Sequence, residues 1–457
     1  MKIVKPLKPS SQSPGKGPGA VGVSPGWVAL GLSRAECLGI SACSFQKGLA
    51  RAEAVDSWAG LPGPGVDAIV VLSPEVAALF PESAANLFQA APWQESWATV
   101  LLPWQEPPTR SIRPDGTAKS FCCSSRVFSD LLKTARVESI ESQCFNLLDA
   151  ILNGSVEVQR LLVRQLPLLN SEQTPAGLNQ SAALIMAHRG PKRFLTTALH
   201  SIASAAGSSQ VTVRVGLDLE DASDYQDVAW TFPDVEFYSV DGAPAGPYVI
   251  RQSLIDRSSE HLIIFHDSDD FSCCDRFRRL AAEVGERNVE VVGSHELRVD
   301  ELTRSVEVYR FPLDASAALA LPGSTEQNDR ANEPLLHPTV TMVRSGFVRA
   351  GGFSTNRKIA NDTQFMLRAY FSLQMRNVDD FLYIRRRHPN ALTVVKETAL
   401  GTPLRHYLGT TWGADFEAVK SGKAKLEETS LWPRFSPVTH RLTRLWASGA
   451  DCLKQPA

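Results

Sequence analysis

The sequence has no long hydrophobic run, no large charge excess and no cysteine pair with metal-site spacing. No apolar stretch approaches the about 18 residues that a membrane-spanning helix requires. The 47 Lys and Arg residues nearly balance the 49 Asp and Glu residues, for a formal net charge of −2. Nucleic-acid binding through phosphates usually requires a strong basic excess. We therefore expect neither a transmembrane segment nor a nucleic-acid partner.

The cysteines and the first residues also argue against a secretory context. The vicinal pairs Cys122-Cys123 and Cys273-Cys274 lack zinc-ligand spacing, and the sequence contains no C-x-x-C pair. Residues 1–25 carry five prolines and four lysines without the apolar core of a signal peptide. We expect a disordered arm over residues 1–25, with at most a weak peripheral contact with anionic lipid, and reduced thiols in a cytoplasmic protein.

The 457 residues are enough for several domains. Residues 26–165 are predicted to form an N-terminal α/β domain of unknown role, with a strand at 66–72 and a helix within 138–168. Residues 166–180 are predicted to be a linker, because the segment is polar and contains Pro175 and Gly177. A catalytic domain is expected over 181–400. Residues 401–457 are expected to be an irregular tail packed on that domain.

From residue 181 onward, strand and helix patterns alternate. Strands are predicted at 182–186, 211–217 and 261–265, and helices at 192–205, 246–257 and 363–371. This alternation is typical of an α/β fold with a Rossmann-like, mixed and mostly parallel sheet, whose ligand loops lie at the carboxyl ends of the strands. The end of the strand at 261–265 is therefore the expected functional edge.

Three carboxylates directly follow that strand, in the segment Asp267-Ser268-Asp269-Asp270. Clustered carboxylates repel one another, and a hard divalent cation is a natural counter-charge. A solvated acidic turn that caps the next helix is the alternative. The position after a buried strand favours a site for Mn²⁺ or Mg²⁺.

With this acidic segment and four others, the sequence resembles the family 2 glycosyltransferases, which are inverting enzymes with the A-type nucleotide-sugar transferase fold. The resemblance covers residues 181–395, about half of the chain, and Arg251 precedes Asp267 by 16 residues, as the family's spacing requires. The matching segments are Ala187-His188-Arg189, the acidic segment, Gly351-Gly352-Phe353, Asn361-Asp362 and Arg385-Arg386-Arg387-His388.

The resemblance implies transfer of a sugar from a nucleotide-diphosphate donor, most simply a UDP-sugar, to a hydroxyl group of a glycan or other acceptor, with inversion. Asp362 would be the general base, and Asp267, Asp269 and His388 would bind the metal ion. The implied contacts with the donor nucleotide are His188, Arg189, Asp218, Asp221, Arg251, Asp267 and Asp270. The implied contacts with the diphosphate or acceptor are His337, Gly351, Gly352, Arg385 and Arg387.

Some positions depart from the family pattern and leave two alternatives. Gln252 stands where the family has Asn, Leu254 where it usually has Gly, and Asn361 where it has Glu. These changes would suit a degenerate, non-catalytic transferase that acts as a glycan- or partner-binding scaffold. A sugar nucleotidyltransferase is the second alternative, but residues 187–192 match its glycine-rich loop poorly. The N-terminal block has no acidic pair and is either an unrelated α/β module or a decayed second copy of the fold.

Overall fold

A computed structural model describes residues 28–32, 68–73, 76, 87, 96–109, 113–134, 142–166, 180–206, 210–284, 289–321, 324–325 and 334–446. The chain divides into two compact units. Unit 1 comprises residues 1–106, 116–174 and 297–308, and unit 2 comprises residues 107–115, 175–296 and 309–457. The predicted arm at 1–25 and most of the predicted linker lie outside the described residues.

Unit 1 contains a five-stranded sheet and two helices in the described part of the chain. The elements are β1 Val28–Leu32, β2 Ala68–Leu72, β3 Trp97–Pro103, β5 Ser120–Ser124, α1 Ser125–Thr134, α2 Gln143–Leu152 and β6 Arg160–Leu166. Strand β4 Arg113–Thr117 lies outside this sheet, and its residues 113–115 belong to unit 2. The sheet order is β1-β2-β5-β3-β6, with β3 and β6 parallel and the other neighbours antiparallel. Strand β2 is wholly buried, as the short apolar run predicted at 66–72 indicates, and β5 is wholly buried as well.

The helix expected within residues 138–168 is shorter than predicted. Helix α2 ends at Leu152, and Gly154 follows with a left-handed φ of 71°. Glycine adopts this conformation at little cost and commonly ends helices. Residues Arg160–Leu166 then form strand β6, in which buried and half-buried positions alternate over most of the strand. The helical spacing of the apolar residues was therefore misleading beyond residue 152.

Unit 2 is built on a long mixed sheet. The strands from residue 182 onward are β7 Ala182–His188, β8 Val211–Leu217, β9 Val235–Val240, β10 Leu262–Phe265, β11 Phe271–Ser272, β12 Val291–Asp300, β13 Ser305–Arg310, β14 Thr341–Val343, β15 Met375–Arg387 and β16 Leu442–Leu445. Residues 297–300 of β12 and 305–308 of β13 belong to unit 1. Nine of these strands follow the order β11-β15-β12-β14-β10-β7-β8-β9-β16. The central strands β10, β7, β8 and β9 are parallel, whereas β14 and β16 join them antiparallel. This confirms the expected mixed α/β sheet.

Helices cover both faces of this sheet. They are α3 Lys192–Ala206, α4 Gln226–Thr231, α5 Pro247–Asp256, α6 Arg276–Glu283, α7 Ala315–Ala320, α8 Arg344–Arg349, α9 Asn361–Ala369 and α10 Pro403–Lys420. Alternate residues of β7 enter different cores, because successive side chains of a strand point to opposite faces. Ala183 and Ile185 pack with residues of α5, whereas Leu184 packs with residues of α3.

Within the predicted tail at 401–457, the described residues 401–446 are not irregular as the sequence suggested. Pro403 lies in the first turn of helix α10, where its missing N–H costs nothing. Leu408, Trp412 and Phe416 recur every four residues and are buried in the core. Strand β16 then pairs with β9. Glycines within the segment hid this helical pattern. In the described part of the chain, none of the helices is both long and apolar enough to cross a bilayer.

Candidate active site

The acidic turn lies at the carboxyl end of β10, as the sequence predicts. Strand β10 pairs in parallel with β7, and β7 with β8, so the carboxyl ends of these strands meet at one edge of the sheet. One carboxylate oxygen from each of Asp267, Asp269 and Asp270 lies within 4.8 Å of the others. Three such oxygens are the hard ligands that Mg²⁺ and Mn²⁺ prefer.

Asp270 is the most deeply buried member of this turn, at 2% exposure. Its Oδ1 accepts a hydrogen bond from the Arg386 backbone N–H at 2.8 Å, whereas its buried Oδ2 has no partner among the described residues. Burial and the charges of Asp269 and Asp267 raise the pKa of Asp270 well above its usual value. A buried carboxylate oxygen without a partner, beside two other carboxylates, fits a divalent cation.

Asp267 is held by two residues from other elements. The Arg251 guanidinium, on α5, donates a hydrogen bond to the Asp267 carboxylate. The backbone N–H of Asp267 donates to the Tyr383 hydroxyl at 3.1 Å. Burial and the Asp269 charge raise the pKa of Asp267, although Arg251 acts in the opposite direction. Arg251, predicted as a contact of the donor nucleotide, is thus brought to the acidic turn.

Asp269 is paired with His388, which immediately follows β15. The imidazole Nε2 lies 3.0 Å from Asp269 Oδ2. Burial would raise the pKa of Asp269, but the contact with His388 and the charge of Arg385 lower it below the usual value. The cluster of candidate ligand atoms in the described chain consists of the three carboxylates. His388 contacts one of these carboxylates and is positioned to orient it, and its role as a metal ligand stays a prediction.

The basic stretch at the end of β15 supplies positive charge beside the carboxylates. Burial disfavours the charged form of Arg385, but Glu296, Asp270 and Asp267 raise its pKa. Its Nη1 is buried without a hydrogen-bond partner among the described residues. Arg387, two residues further along the strand, is half-buried. Arg385 is therefore available to bind an anion close to the acidic turn.

Asp362 occupies the first turn of helix α9, as predicted. The preceding Ala360 has a left-handed φ of 60°, which is uncommon for a residue with a Cβ. Asp362 Oδ1 accepts the Thr363 N–H at 3.0 Å, and the buried Tyr248 hydroxyl donates to the same carboxylate. Burial would raise the pKa of Asp362, but His337, Tyr248 and Thr363 lower it. Asp362 is therefore ionised at neutral pH.

Asp362 and His337 line the same open cleft. The other residues of the lining are Leu319, Pro334, Leu335, Thr363, Met366 and Leu367. His337 is 4% exposed, and its Nε2 has no hydrogen-bond partner among the described residues. Burial and the nearby Arg251 lower the pKa of His337 to about 3, so its imidazole is neutral at pH 7.

His188 is held by protein groups at the end of β7. Its Nδ1 lies 2.8 Å from Ser268 Oγ, and its Nε2 lies 2.9 Å from the Tyr225 hydroxyl, which donates to the Gly190 carbonyl. Burial lowers the pKa of His188 to about 4. The ring thus connects β7 to the acidic turn, while Arg189 beside it is exposed.

Asp218 and Asp221, predicted contacts of the nucleotide, both bind backbone amides. Asp218 Oδ1 accepts the Ala245 N–H at 2.7 Å, and its Oδ2 accepts the Gly246 N–H at 3.0 Å. Asp221 Oδ1 accepts the Ser223 N–H at 2.8 Å. Because both Asp218 oxygens are engaged, that side chain positions the start of α5.

Gly351 and Gly352 fill a packing role that the sequence did not indicate. Their φ angles are 81° and 68°, and a Cβ on Gly352 would lie 2.7 Å from Gln252 Oε1. That oxygen accepts the Phe353 N–H at 2.8 Å. The buried Arg368 guanidinium donates to the carbonyls of Ala350, Gly352 and Leu431. The close neighbours of both glycines are therefore protein groups.

Sequence reasoning missed Tyr248, which contacts both Arg251 and Asp362. The Arg251 guanidinium lies 5.7 Å from the centroid of the Tyr248 ring, and the hydroxyl binds Asp362. Tyr248 therefore lies between the residue that binds Asp267 and the predicted base. Its only sequence signal was its position three residues before Arg251 in a predicted helix, because residues three apart share a helix face.

Comparisons with known proteins do not assign the chain to a family. No family model matches it, and no curated protein matches it. Among solved structures, TarS residues 1–349 of S. aureus in complex with UDP-GlcNAc is 17% identical, covers 52% of this chain and 66% of that chain, and has a TM-score of 0.40. The complex of the same TarS fragment with UDP is 16% identical, covers 54% and 73%, and has a TM-score of 0.37. At these TM-scores, the similarity alone assigns neither fold nor function.

Proposed function

We propose that unit 2 is a metal-assisted glycosyltransferase that moves a sugar from a nucleotide-diphosphate donor to a hydroxyl acceptor with inversion of the anomeric carbon. The observation that carries this proposal is the acidic turn at the carboxyl end of β10. There, one oxygen from each of three carboxylates lies within 4.8 Å of the others, and Asp270 Oδ2 is buried without a hydrogen-bond partner among the described residues.

Asp267, Asp269 and Asp270 would hold Mg²⁺ or Mn²⁺. When bound, such an ion neutralises the negative charge of a diphosphate leaving group. Arg385 would bind the same diphosphate, because its guanidinium is charged, borders the acidic turn and has a buried N–H without a partner in the described chain. His388 would hold Asp269 in position through its Nε2. A UDP-sugar is the donor we would test first.

Asp362 would accept the proton from the acceptor hydroxyl as that oxygen attacks the anomeric carbon. It lies on helix α9, in a different element from the acidic turn, and lines an open cleft, so it is accessible to an acceptor. The hydrogen bonds from Tyr248 and Thr363 keep it ionised at neutral pH and therefore able to act as a base. Inversion follows if the acceptor attacks from the face opposite the leaving group.

The proposal is tested by thermal denaturation of the full chain with UDP, GDP or CDP, each in Mn²⁺ and in EDTA. A nucleotide at 100 times its dissociation constant stabilises the folded state by about 2.7 kcal/mol, which raises the melting temperature measurably. We expect one nucleotide to do so in Mn²⁺ and not in EDTA. The variant Asp269→Asn should lose this response. Asp234→Asn, a change at an exposed residue before β9, should keep it.

A metal-independent response would contradict the role of the acidic turn. If none of the nucleotides gives a response, the donor site would be excluded and a non-catalytic scaffold would be favoured. Asp362→Asn separates binding from chemistry: it should retain the nucleotide response and lose sugar transfer. Transfer at the wild-type rate by this variant would remove Asp362 as the base.

A further inference from the structure

The composition of the Asp362 cleft indicates which acceptors it suits. We infer that the acceptor is an uncharged hydroxyl compound that carries an apolar group, such as an alkyl or aryl glycoside, and that the apolar group packs in this cleft. This inference rests on the proposed transferase function, and it adds the chemical class of the acceptor.

One wall of the cleft is a face of helix α9. Asp362, Thr363, Met366 and Leu367 all line the cleft. Residues three and four positions apart lie on the same helix face, so the carboxylate and the two apolar side chains point into the same space. A hydroxyl group bound at Asp362 would therefore have apolar surface within about one helical turn of it.

The other wall is also mainly apolar. Leu319 extends from helix α7, and Pro334 and Leu335 precede His337. None of the eight lining residues that the structure describes is Lys or Arg. Arg405 and Arg251 act electrostatically on Asp362 from outside the lining, but both guanidinium groups are already engaged. Arg405 Nε donates to the Thr398 carbonyl at 2.7 Å, and Arg251 donates to Asp267. With an ionised Asp362 in the cleft, an anionic acceptor would be repelled.

His337 provides the second observation that points to a ligand. Its ring packs on Phe265 at a centroid distance of 4.3 Å, and its buried Nε2 lacks a partner in the described chain. An unsatisfied buried polar atom costs about 1–3 kcal/mol, which a ligand hydroxyl would recover. A neutral imidazole suits an uncharged hydroxyl group better than it suits a carboxylate or phosphate. The cleft thus offers two polar contacts within an apolar lining.

The test is isothermal titration of the full chain, saturated with Mn²⁺ and the nucleotide that binds it, with three defined probes. They are methyl β-D-glucopyranoside, hexyl β-D-glucopyranoside and hexyl β-D-glucuronide. We expect the hexyl glucoside to bind at least about tenfold more tightly than the methyl glucoside, because burial of two further methylenes is sufficient for such a difference. The hexyl glucuronide should bind at least about tenfold more weakly than the hexyl glucoside.

Variants separate the apolar and polar parts of the inference. Leu367 is half-buried, so Leu367→Asp should leave the fold intact and reduce the preference for the hexyl group to less than about twofold. Leu404→Asp, at a residue of α10 that is 49% exposed, is the matched control and should keep the preference. His337→Phe retains the aromatic packing and should weaken both glucosides by a similar factor.

Equal affinity for the methyl and hexyl glucosides would overturn the inference, as would tighter binding of the glucuronide. If a nucleotide binds with Mn²⁺ but the hexyl preference is absent, the inferred acceptor class fails and the transferase proposal stands. If no nucleotide binds, the transferase proposal and the inferred acceptor class both fail.

Discussion

His388 Nε2 lies 3.0 Å from Oδ2 of Asp269, a residue 119 positions earlier in the sequence. This contact joins the end of β15 to the turn after β10 and orients one carboxylate of the acidic cluster. The ring of His388 also packs edge-on against Phe194, with the centroids 5.2 Å apart. The imidazole is thus fixed on two sides.

We predict that His388→Ala weakens Mn²⁺ binding by about 10-fold or more, as loss of a residue that orients a metal ligand typically does. Titration calorimetry with MnCl₂ measures the change. His261→Ala is the control, because His261 is exposed immediately before β10, and it should bind Mn²⁺ like the wild type. Unchanged affinity in His388→Ala would show that Asp269 does not depend on His388 for its orientation.

Tyr248→Phe should move the pH dependence of transfer. The Tyr248 hydroxyl stabilises the ionised form of Asp362, so its removal should raise the pKa of this carboxyl. The acidic limb of a kcat/KM profile would then shift to higher pH, while nucleotide affinity at neutral pH stays the same. Tyr370→Phe is a suitable control, because the Tyr370 ring packs on Phe416 at 5.0 Å. An unshifted profile would contradict the proposed role of Tyr248.

Asp270→Asn should stabilise the metal-free protein at neutral pH. The folded state raises the pKa of Asp270, so ionisation of this group costs stability once the pH rises above its unfolded pKa of about 4. In EDTA at pH 7.5 we expect the variant to melt about 1–2 °C higher than the wild type, equivalent to about 1 kcal/mol for a chain of this size. The difference should vanish near pH 4, where the unfolded carboxyl also becomes protonated.

In Mn²⁺ the wild type should melt at a higher temperature than Asp270→Asn, because the ion binds the wild-type carboxylate more tightly than the amide of the variant. Asn retains a carbonyl oxygen for the Arg386 N–H, so a large loss of stability in EDTA is not expected. A variant less stable than the wild type in EDTA would show that Asp270 is satisfied without a metal ion. Asp234→Asn controls for general loss of negative charge.

Gly352→Ala tests whether this glycine serves packing or ligand binding. Its left-handed φ of 68° and the approach of Gln252 Oε1 to 2.7 Å from an added Cβ predict a loss of about 1–3 kcal/mol in the free energy of unfolding. Gly409→Ala is the opposite case: Gly409 lies within α10 with nothing within 4 Å of an added Cβ, so the change should stabilise by about 0.5–1 kcal/mol. Urea denaturation measures both. A stable Gly352→Ala variant with impaired acceptor binding would favour the ligand role.

The sequence predicted the parts of the fold that rest on local patterns. The buried strands after residue 181 and the helices over residues 192–205 and 246–257 have clear apolar periods, and the structure contains them. Strand β12 is different: all ten of its residues are buried, including Glu296 and Arg298. Glu296 acts electrostatically on Arg385, a residue on another strand that is distant in sequence, so no local pattern reveals why this strand is buried. Helix α10 was missed for a related reason, because its apolar residues are separated by Gly409 and Gly413.

The candidate site was predictable where it follows from chain topology. The acidic turn after β10 and the position of Asp362 at the start of a helix both depend on neighbouring residues in sequence. The side-chain partners did not follow from the sequence. His188 and Asp218 bind groups of the protein, and Tyr248 reaches Asp362 from a helix more than 100 residues away in sequence. Such pairings are fixed by tertiary packing, which a single sequence does not display.

The central claim is that Asp362 is the base of an inverting, metal-dependent sugar transfer. The most direct measurement is ¹H NMR of the full chain with an α-linked UDP-sugar, Mn²⁺ and hexyl β-D-glucopyranoside, in the wild type and in Asp362→Asn. We predict a β-linked product from the wild type, recognised by the coupling constant of its anomeric proton. Asp362→Asn should bind UDP and form no product. An α-linked product, or equal product from both proteins, would contradict the claim.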